Sequence, residues 1–155
     1  MTGDITVVGF AELSATTVRA RLLDAHDRFW DTDTRPLHDP VWFHQFGGFG
    51  ATARTADGED VGYVLGAVTA DRLAYLHLLA VRDDHRREGL GRRLCGWFDE
   101  LAVSTGARVV QAVARPDDAA ALALSRALGA SEHLSLDHAG PAADRVVLTR
   151  SPARS

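Results

Sequence analysis

The stretch "RREGLGRRL", residues 86–94, contains two glycines separated by one residue, with a pair of arginines on either side. A nearly all-apolar run, "RLAYLHLLAV" (72–81), precedes it, and apolar residues recur at helical spacing after it. These patterns predict a buried strand, a glycine loop and a helix, in that order. Free backbone N–H groups at a helix N-terminus attract anions, and glycine lets a phosphate approach the main chain closely. We therefore expect this loop to hold a phosphate-bearing ligand.

Two common phosphate loops do not fit this stretch. A P-loop requires a lysine after its last glycine, and the chain contains no lysine. A dinucleotide loop requires G-x-G-x-x-G; Gly89 and Gly91 satisfy the first two positions, but Leu94 stands at the third. Taken alone, the residues also allow a plain turn with solvated arginines before a surface helix.

Length and composition are those of one ordinary globular domain. The chain has 155 residues, 46% of them hydrophobic and 25% charged. Its net charge of −4 argues against general nucleic-acid binding and is compatible with an amine-bearing partner. The single cysteine excludes an intramolecular disulfide, and no signal peptide or run of about 18 apolar residues is visible. We expect a cytoplasmic protein that binds neither nucleic acid nor membrane.

The remaining patterns predict the order β-α-α-β-β-β-α-β-α-β-β, an α/β domain with a mixed sheet. Residues 1–150 are assigned to this domain and residues 151–155 to a frayed tail. Ser14 or Thr16 should cap the first helix, which ends at Trp30, and Gly106 and Gly129 should close the later ones. The predicted segments are a strand over 4–10, a loop over 31–40, a short helix in 41–50, a hairpin around "DGED" (57–60), a strand over 108–114, a helix over 115–129 and a strand pair around "AGPAAD" (139–144).

The spacing Arg86-x-x-Gly89-x-Gly91 resembles the R/Q-x-x-G-x-G/A motif of the GNAT superfamily of N-acetyltransferases. "YLHLLAV" (75–81) is similar to that family's strand before the loop, and "DDAAALALSRALGA" (117–130) to its later helix, while Asp83 replaces the usual proline. The resemblance covers residues 72–130. It implies a single GNAT-like α/β domain: a central mixed, mostly antiparallel sheet with a splayed strand pair, flanked by helices.

The resemblance also implies acetyl-CoA, or another acyl-CoA, as co-substrate. The pyrophosphate would lie on the backbone amides of the loop, and the pantetheine arm along the splayed strand, with Val113 and Arg115 opposite. A backbone N–H of that strand, at Leu79 or Val81, would stabilise the oxyanion. The cofactor-binding residues so implied are Leu79, Ala80, Val81, Arg86, Arg87, Glu88, Gly89, Leu90, Gly91 and Arg92.

His77 is the candidate general base. It lies four residues before Val81, where the resemblance implies a glutamate in many family members. An imidazole titrates near neutral pH and can take the proton of an attacking amine. The alternative is a structural histidine bonded to a neighbouring strand or loop.

Ser125 stands where the family commonly has a tyrosine that acts as general acid. A serine hydroxyl is a weaker acid than a phenol and reaches less far. Ser125 is therefore predicted to be catalytic through a water molecule, while Tyr63 or Tyr75 could replace it, or the thiolate could leave unaided. Asp118, at a position where the family often has asparagine, is expected to act mainly as a helix cap.

The acceptor should be bound between residues 30 and 49, where aromatic side chains cluster. The predicted substrate-binding residues are Trp30, Trp42, His44 and Phe46, although any one of the aromatic residues could instead belong to the core. His38 and His44 are alternative bases. No metal is expected near them, because their spacing to Asp33 and Asp39 is irregular. Cys95 is expected to be a small core residue.

The predicted activity is transfer of an acetyl group from acetyl-CoA to a primary amine of a small molecule, by direct attack in a ternary complex. Two alternatives remain: acyl-CoA decarboxylation or O-acyl transfer on the same fold, and a non-catalytic CoA-binding regulatory module. The resemblance makes a homodimer possible.

Overall fold

The computed structural model describes residues 3–153, and within this range seven strands form one sheet in the order β1-β2-β3-β4-β5-β7-β6. The strands are β1 (Ile5–Gly9), β2 (Ala51–Thr55), β3 (Asp60–Val68), β4 (Leu73–Val81), β5 (Val109–Ala114), β6 (Ser131–Ser135) and β7 (Arg145–Arg150). The helices are α1 (Ala15–Asp24), α2 (His26–Phe29), α3 (Leu90–Ser104) and α4 (Ala119–Ala127). The predicted α/β class with a mixed sheet is confirmed.

Neighbouring strands are antiparallel except β4 and β5, which are parallel. The sheet is thus mixed and mostly antiparallel, as expected. β4 is its middle strand, which agrees with the almost wholly apolar sequence that predicted a central position.

Local sequence signals explain most helix boundaries. The Ser14 hydroxyl accepts a hydrogen bond from the Thr17 N–H at 3.3 Å, and the Asp118 carboxylate accepts one from the Ala121 N–H at 3.1 Å. Both caps were predicted. The short helix predicted within 41–50 is wrong: 3-10 turns at Pro40–Trp42 and Gly47–Phe49 occupy this segment, and the α-type hydrogen bond from the His44 N–H to the Pro40 carbonyl is not continued into a helix.

Two apolar clusters lie on opposite faces of the sheet. On one face α3 packs Leu94 and Phe98 against β3 and β4. On the other face α1 and α2 pack Leu22 and Phe29 against Tyr63. Both faces of the central strands are therefore buried, and at about 25 cal/mol per Å² of apolar surface this burial is the main stabilising contribution to the fold.

A β-bulge interrupts β4 at its midpoint. Leu65 of β3 pairs with Leu78, but the next residue, Gly66, pairs with Leu76, so His77 has no partner across the ladder. The extra residue changes the face to which the strand directs its side chains: Leu76 packs in the α3 cluster and Leu78 in the α1–α2 cluster. The bulge residue is the candidate base predicted from the sequence.

The predicted splay between two central strands begins beside the bulge. The parallel register of β4 and β5 runs from Leu73–Val109 to Leu76–Ala112 and ends there. β4 nevertheless continues to Val81 and β5 to Ala114. The second half of β4 thus faces an opening in the sheet, and His77 stands at its apex.

Residues 151–153, where a frayed tail was expected, are bound to α3, because the Ala153 N–H donates a hydrogen bond to Asp99 Oδ2 at 2.7 Å. Asp99 also pairs with Arg150, and both side chains are buried. Residues 154 and 155 of the predicted tail, and residues 1 and 2 of the predicted domain, lie outside the described residues.

Candidate active site

The glycine loop leads directly into α3. Gly89 is the N-cap of that helix with φ of +81°, a left-handed conformation that glycine adopts without a Cβ clash. The Gly89 carbonyl accepts the Arg93 N–H at 3.1 Å. The N–H groups of Leu90, Gly91 and Arg92 belong to the first helical turn, where no earlier helical carbonyl can accept them. This geometry suits an anion at the helix N-terminus.

The charges around the loop are strongly positive. Among residues 3–153, the carboxylates that pair with an arginine pair with other ones, so that Arg86, Arg87, Arg92 and Arg93 form no ion pair. Glu88, the one acidic residue of the loop, lies 3.1 Å from the His85 imidazole. The loop therefore presents positive charge, fitting a phosphate-bearing ligand.

Ion pairs neutralise the two acidic residues that precede the loop. The Arg28 guanidinium of α2 lies 3.1 Å from the carboxylates of both Asp83 and Asp84. The Arg82 guanidinium lies 2.7 Å from Asp84 and, chiefly by this hydrogen bond, lowers the pKa of Asp84 to about 2. Asp83, at the usual proline position, thus ties the loop to α2.

Arg86 has a structural contact that the motif did not predict. Its guanidinium donates to the Val81 carbonyl at 3.2 Å and to the Phe29 carbonyl at 3.1 Å. It therefore joins the end of β4 to the end of α2. Arg92 similarly reaches the Ala127 carbonyl at the end of α4, at 3.4 Å.

His77 is held from two sides. Its Nε2 lies 2.7 Å from the Leu37 carbonyl, and its ring stacks on Trp42 with centroids 4.0 Å apart and planes 9° from parallel. A carbonyl can only accept, so Nε2 carries the hydrogen and the neutral ring has its lone pair on Nδ1. Burial lowers the pKa of His77, and the hydrogen bond to Leu37 opposes that effect only in part. At neutral pH the imidazole is thus uncharged and able to accept a proton.

Four half-buried rings form an aromatic cluster on this face: Trp42, Phe46, Tyr75 and His77. Trp42 is the common member, with ring centroids 5.5 Å from Phe46 and 6.2 Å from Tyr75. Two of the predicted substrate-binding residues are therefore brought together with the candidate base. The partly open ring faces can bind an apolar or cationic group.

The other predicted acceptor residues lie elsewhere. Trp30 donates from Nε1 to the Tyr63 hydroxyl at 2.7 Å. His44 is exposed, and its ring makes no aromatic contact with the cluster among the described residues. Phe43 is a core residue.

His38 is fully buried, which corrects its interpretation as an alternative base. Its Nδ1 and Nε2 are bound to the Thr34 carbonyl at 2.8 Å and to the Tyr63 hydroxyl at 2.7 Å. Neither nitrogen is free to take a proton from a substrate. The feature that sequence reasoning missed is this buried polar network, which also includes His26. One signal was available: His26 follows Val18 and Leu22 at four-residue spacing, on the apolar face of the helix.

The three candidate general acids differ in whether they lie near His77 and in whether their hydroxyl groups are already hydrogen-bonded. Ser125 is partly buried on α4, and its hydroxyl makes no hydrogen bond to any residue in the range 3–153. Tyr63 is committed to Trp30 and His38. Tyr75 shares the aromatic cluster, with its ring centroid 6.0 Å from that of His77, and burial raises the pKa of its phenol.

The remaining residues with possible chemistry do not form a second centre. Cys95 is buried as expected, and burial raises the pKa of its thiol to about 11. In the described part of the chain, no three His, Cys, Asp or Glu side chains are grouped so that they could hold a metal ion. None of the helices described is both long and apolar enough to span a membrane.

A parallel strand pair that separates halfway, followed by a glycine loop and a helix N-terminus, is the geometry expected of an acyl-CoA-dependent acetyltransferase. Residues 15–130 match the family model described as "Acetyltransferase (GNAT) family". The chain belongs to this family, and the predicted resemblance is confirmed. Among curated protein sequences no significant match was found.

Solved structures with the same fold include proteins of differing substrates. The ribosomal-protein-S18-alanine N-acetyltransferase of Escherichia coli is 21% identical with a TM-score of 0.71, over 98% of this chain and 96% of that one. YncA from Salmonella typhimurium, solved with its cofactor acetyl-CoA, is 17% identical with a TM-score of 0.69, over 100% and 96%. A variant of the spermidine N-acetyltransferase of Vibrio cholerae is 13% identical with a TM-score of 0.67, over 96% and 94%. At these identities they support the fold alone.

Proposed function

We propose that this protein transfers the acetyl group of acetyl-CoA to a primary amine of a small molecule, with His77 as general base. One observation carries the proposal. A neutral imidazole with a free Nδ1 lone pair stands on a β-bulge at the apex of the opening between β4 and β5. A thioester placed along the second half of β4 would end near this nitrogen.

The reaction requires three groups. The amine loses a proton to Nδ1 of His77 and its nitrogen bonds to the thioester carbonyl carbon. The resulting oxyanion accepts a hydrogen bond from the backbone N–H of Leu79 or Val81. The C–S bond then breaks, and the thiolate takes a proton from water held by Ser125, or from Tyr75, which is on the face of the sheet that carries His77.

Pyrophosphate binding is proposed on the first turn of α3. The N–H groups of residues 90–92 point out of the helix, and Arg87 and Arg92 supply unpaired positive charge. Arg86 contributes charge while it holds the loop to α2. Leu79 and Val81 are half-buried and line the pantetheine path, with Ala80 buried behind them.

The small-molecule acceptor is proposed to bind against the aromatic cluster. Trp42 and Phe46 form an apolar wall beside His77. His44 and Trp30 would contact only a larger acceptor that extends past this wall. A cytoplasmic location and a homodimer remain predictions, which fractionation and sedimentation would test.

The deciding experiment follows thiol release from acetyl-CoA with a panel of amines, alcohols and no acceptor. Turnover that requires an amine supports the proposal. Turnover without an amine indicates decarboxylation or O-acyl transfer. Tight CoA binding with no thiol release on any acceptor indicates a regulatory module.

Gly89→Glu tests the loop separately. It places a carboxylate and a strained left-handed residue where the pyrophosphate would lie, so we expect the calorimetric Kd for CoA to rise at least about tenfold, or roughly 1.4 kcal/mol. Gly96→Glu is the matched control, because this exposed glycine of α3 has no atom within 4 Å of an added Cβ. Equal CoA affinity in both variants would refute the assignment.

A further inference from the structure

The loop between α2 and β2 buries two polar residues. Thr34 is 9% exposed and His38 is 0% exposed, although the residues between them, 35–37, are exposed. Buried polar groups need hydrogen-bond partners, because leaving one unsatisfied costs about 1–3 kcal/mol. The hydrogen-bond partners of Thr34 and His38 lead to the candidate base, His77.

His38 has one assignable tautomer. The Thr34 carbonyl can only accept, so Nδ1 of His38 carries the hydrogen. Nε2 then accepts from the Tyr63 hydroxyl. Trp30 Nε1–H can only donate, so it supplies the hydrogen bond that the Tyr63 oxygen accepts. Each group in this chain of contacts has a defined role.

His26 completes the network from the other side of Thr34. The Thr34 N–H donates to Nε2 of His26 at 3.1 Å, so Nε2 is the acceptor nitrogen. The Nδ1–H of His26 donates to the Asp27 carboxylate at 2.9 Å. Thr34 is therefore bound through both its N–H and its carbonyl.

The network reaches His77 through a single residue, Leu37, which uses both its N–H and its carbonyl. The Thr34 carbonyl that accepts from His38 also accepts the Leu37 N–H at 2.9 Å. The Leu37 carbonyl accepts Nε2–H of His77 at 2.7 Å. The Arg19 guanidinium donates a hydrogen bond to the His38 carbonyl at 2.8 Å, so the residue that follows Leu37 is also held.

We propose that His38 is a positioning residue: through Thr34 and Leu37 it holds His77 in the Nε2–H tautomer, with the Nδ1 lone pair free. The consequence for catalysis rests on the proposed function, but the tautomer itself does not. Tyr63 and Trp30 fix His38 in turn, which gives these buried residues a role beyond packing.

The charge state of His38 is part of this arrangement. The titratable or charged groups that bear on it are His26, His77, Arg19 and Tyr63. A second proton on His38 would bring two donors, at Trp30 and His38, to the Tyr63 oxygen and leave the hydroxyl proton without its acceptor. Burial lowers the pKa of His38, so the neutral form that the network needs is present at neutral pH.

The direct test is the tautomer of His77, read from ¹H–¹⁵N correlations of its imidazole in the free protein. The wild-type protein should show Nε2 protonated and Nδ1 unprotonated. His38→Leu, which removes both ring hydrogen bonds, should give mixed tautomers for His77. His38→Asn, whose amide can still donate to Thr34, should keep the wild-type pattern.

Kinetics give the second readout. We expect His38→Leu to lower kcat about tenfold, as slight misplacement of a catalytic group does, with the KM for acetyl-CoA unchanged. His38→Asn should recover most of that loss. Thr52→Val is the control: it removes a buried hydroxyl that binds Asp60 at 2.8 Å, away from this loop, and should leave kcat and the tautomer unchanged.

An unchanged His77 tautomer in folded His38→Leu, with kcat within about twofold of wild type, would overturn the proposal. If His38→Leu does not fold, Tyr63→Phe decides by the same two readouts, because it removes the hydroxyl that orients His38 and keeps the ring. Absence of turnover in the wild-type protein would refute the proposed function, while the tautomer measurement would still test the positioning.

Discussion

Replacement of His77 by glutamine tests the chemistry most directly. The Nε2 amide of glutamine can reach the Leu37 carbonyl and so retain the contact that imidazole Nε2–H makes at 2.7 Å. It has no basic nitrogen at the Nδ1 position. The substitution therefore removes proton acceptance and leaves the tether of the loop in place.

The His77→Gln substitution should lower kcat and folding stability by different amounts. Removing a positioned general base lowers kcat about 10²–10⁴-fold, or roughly 3–5 kcal/mol of transition-state stabilisation. Losing the stack on Trp42, at 4.0 Å, costs about 0.5–1.5 kcal/mol of folding stability. The kinetic effect should therefore far exceed any fall in stability. CoA affinity should not change, because residues 86–92 are unaltered.

The pH profile provides the decisive assay. The base must be neutral, and burial lowers its pKa below the ordinary histidine value of about 6.5. Wild-type activity should thus be full at pH 7 and be lost as pH falls through the lowered pKa. The ratio of wild-type to His77→Gln kcat at each pH cancels ionisation of the acceptor amine, and it should fall toward one in acid.

Two results would refute this reasoning. A His77→Gln variant with kcat within about threefold of wild type would show that His77 is not the base. A ratio of wild-type to variant kcat that stays constant from pH 5 to 8 would show that protonation of the His77 imidazole does not affect the reaction.

Three further outcomes are expected. Gly66→Ala should lower the free energy of unfolding, measured in urea, by about 1–3 kcal/mol, because an added Cβ would lie 2.5 Å from a Phe98 ring carbon. Gly96→Ala is the control and should not destabilise the protein, because nothing lies within 4 Å of its added Cβ; equal stabilities of the two variants would contradict the packing at the bulge. Asp99→Asn should cost about 3–5 kcal/mol in the same assay because Arg150 would be left buried without its charge partner, and a loss under about 1 kcal/mol would contradict this. Trp42→Ala should raise the acceptor KM up to about tenfold without changing the KM for acetyl-CoA; an unchanged acceptor KM would remove Trp42 from the site.

Much of the fold could be predicted because its signals are local. Ser14 and Asp118 cap helices through their own side chains, and Gly89 and Gly106 take positive φ at the two ends of α3. The aromatic segment 41–50 was predicted wrongly as one helix. Its rings are fixed by contacts with β4 and the core rather than by helical spacing, so periodicity gave no reliable guide.

The candidate site was predictable in its loop and less so in its chemistry. The motif identified residues 86–92 because glycine and arginine spacing reflects backbone requirements for an anion. The hydrogen bond between His38 and Tyr63 joins residues 25 apart in the chain, and nothing in the local sequence records it. Ser125 shows the same limit: its distance from the reacting atoms depends on how α4 packs.

The sequence by itself determined the glycine loop, its strand and helix, and hence the family, because these depend on residue type at fixed spacing. Only the tertiary structure decided what His77 can do. "LAYLHLLAV" is apolar on both faces, so its alternation could not reveal the bulge that changes the face of the strand at this residue. The Leu37 carbonyl that sets the tautomer of His77 lies 40 residues away in sequence and belongs to the main chain, and it acts only after a loop held by two buried histidines has been folded against the sheet.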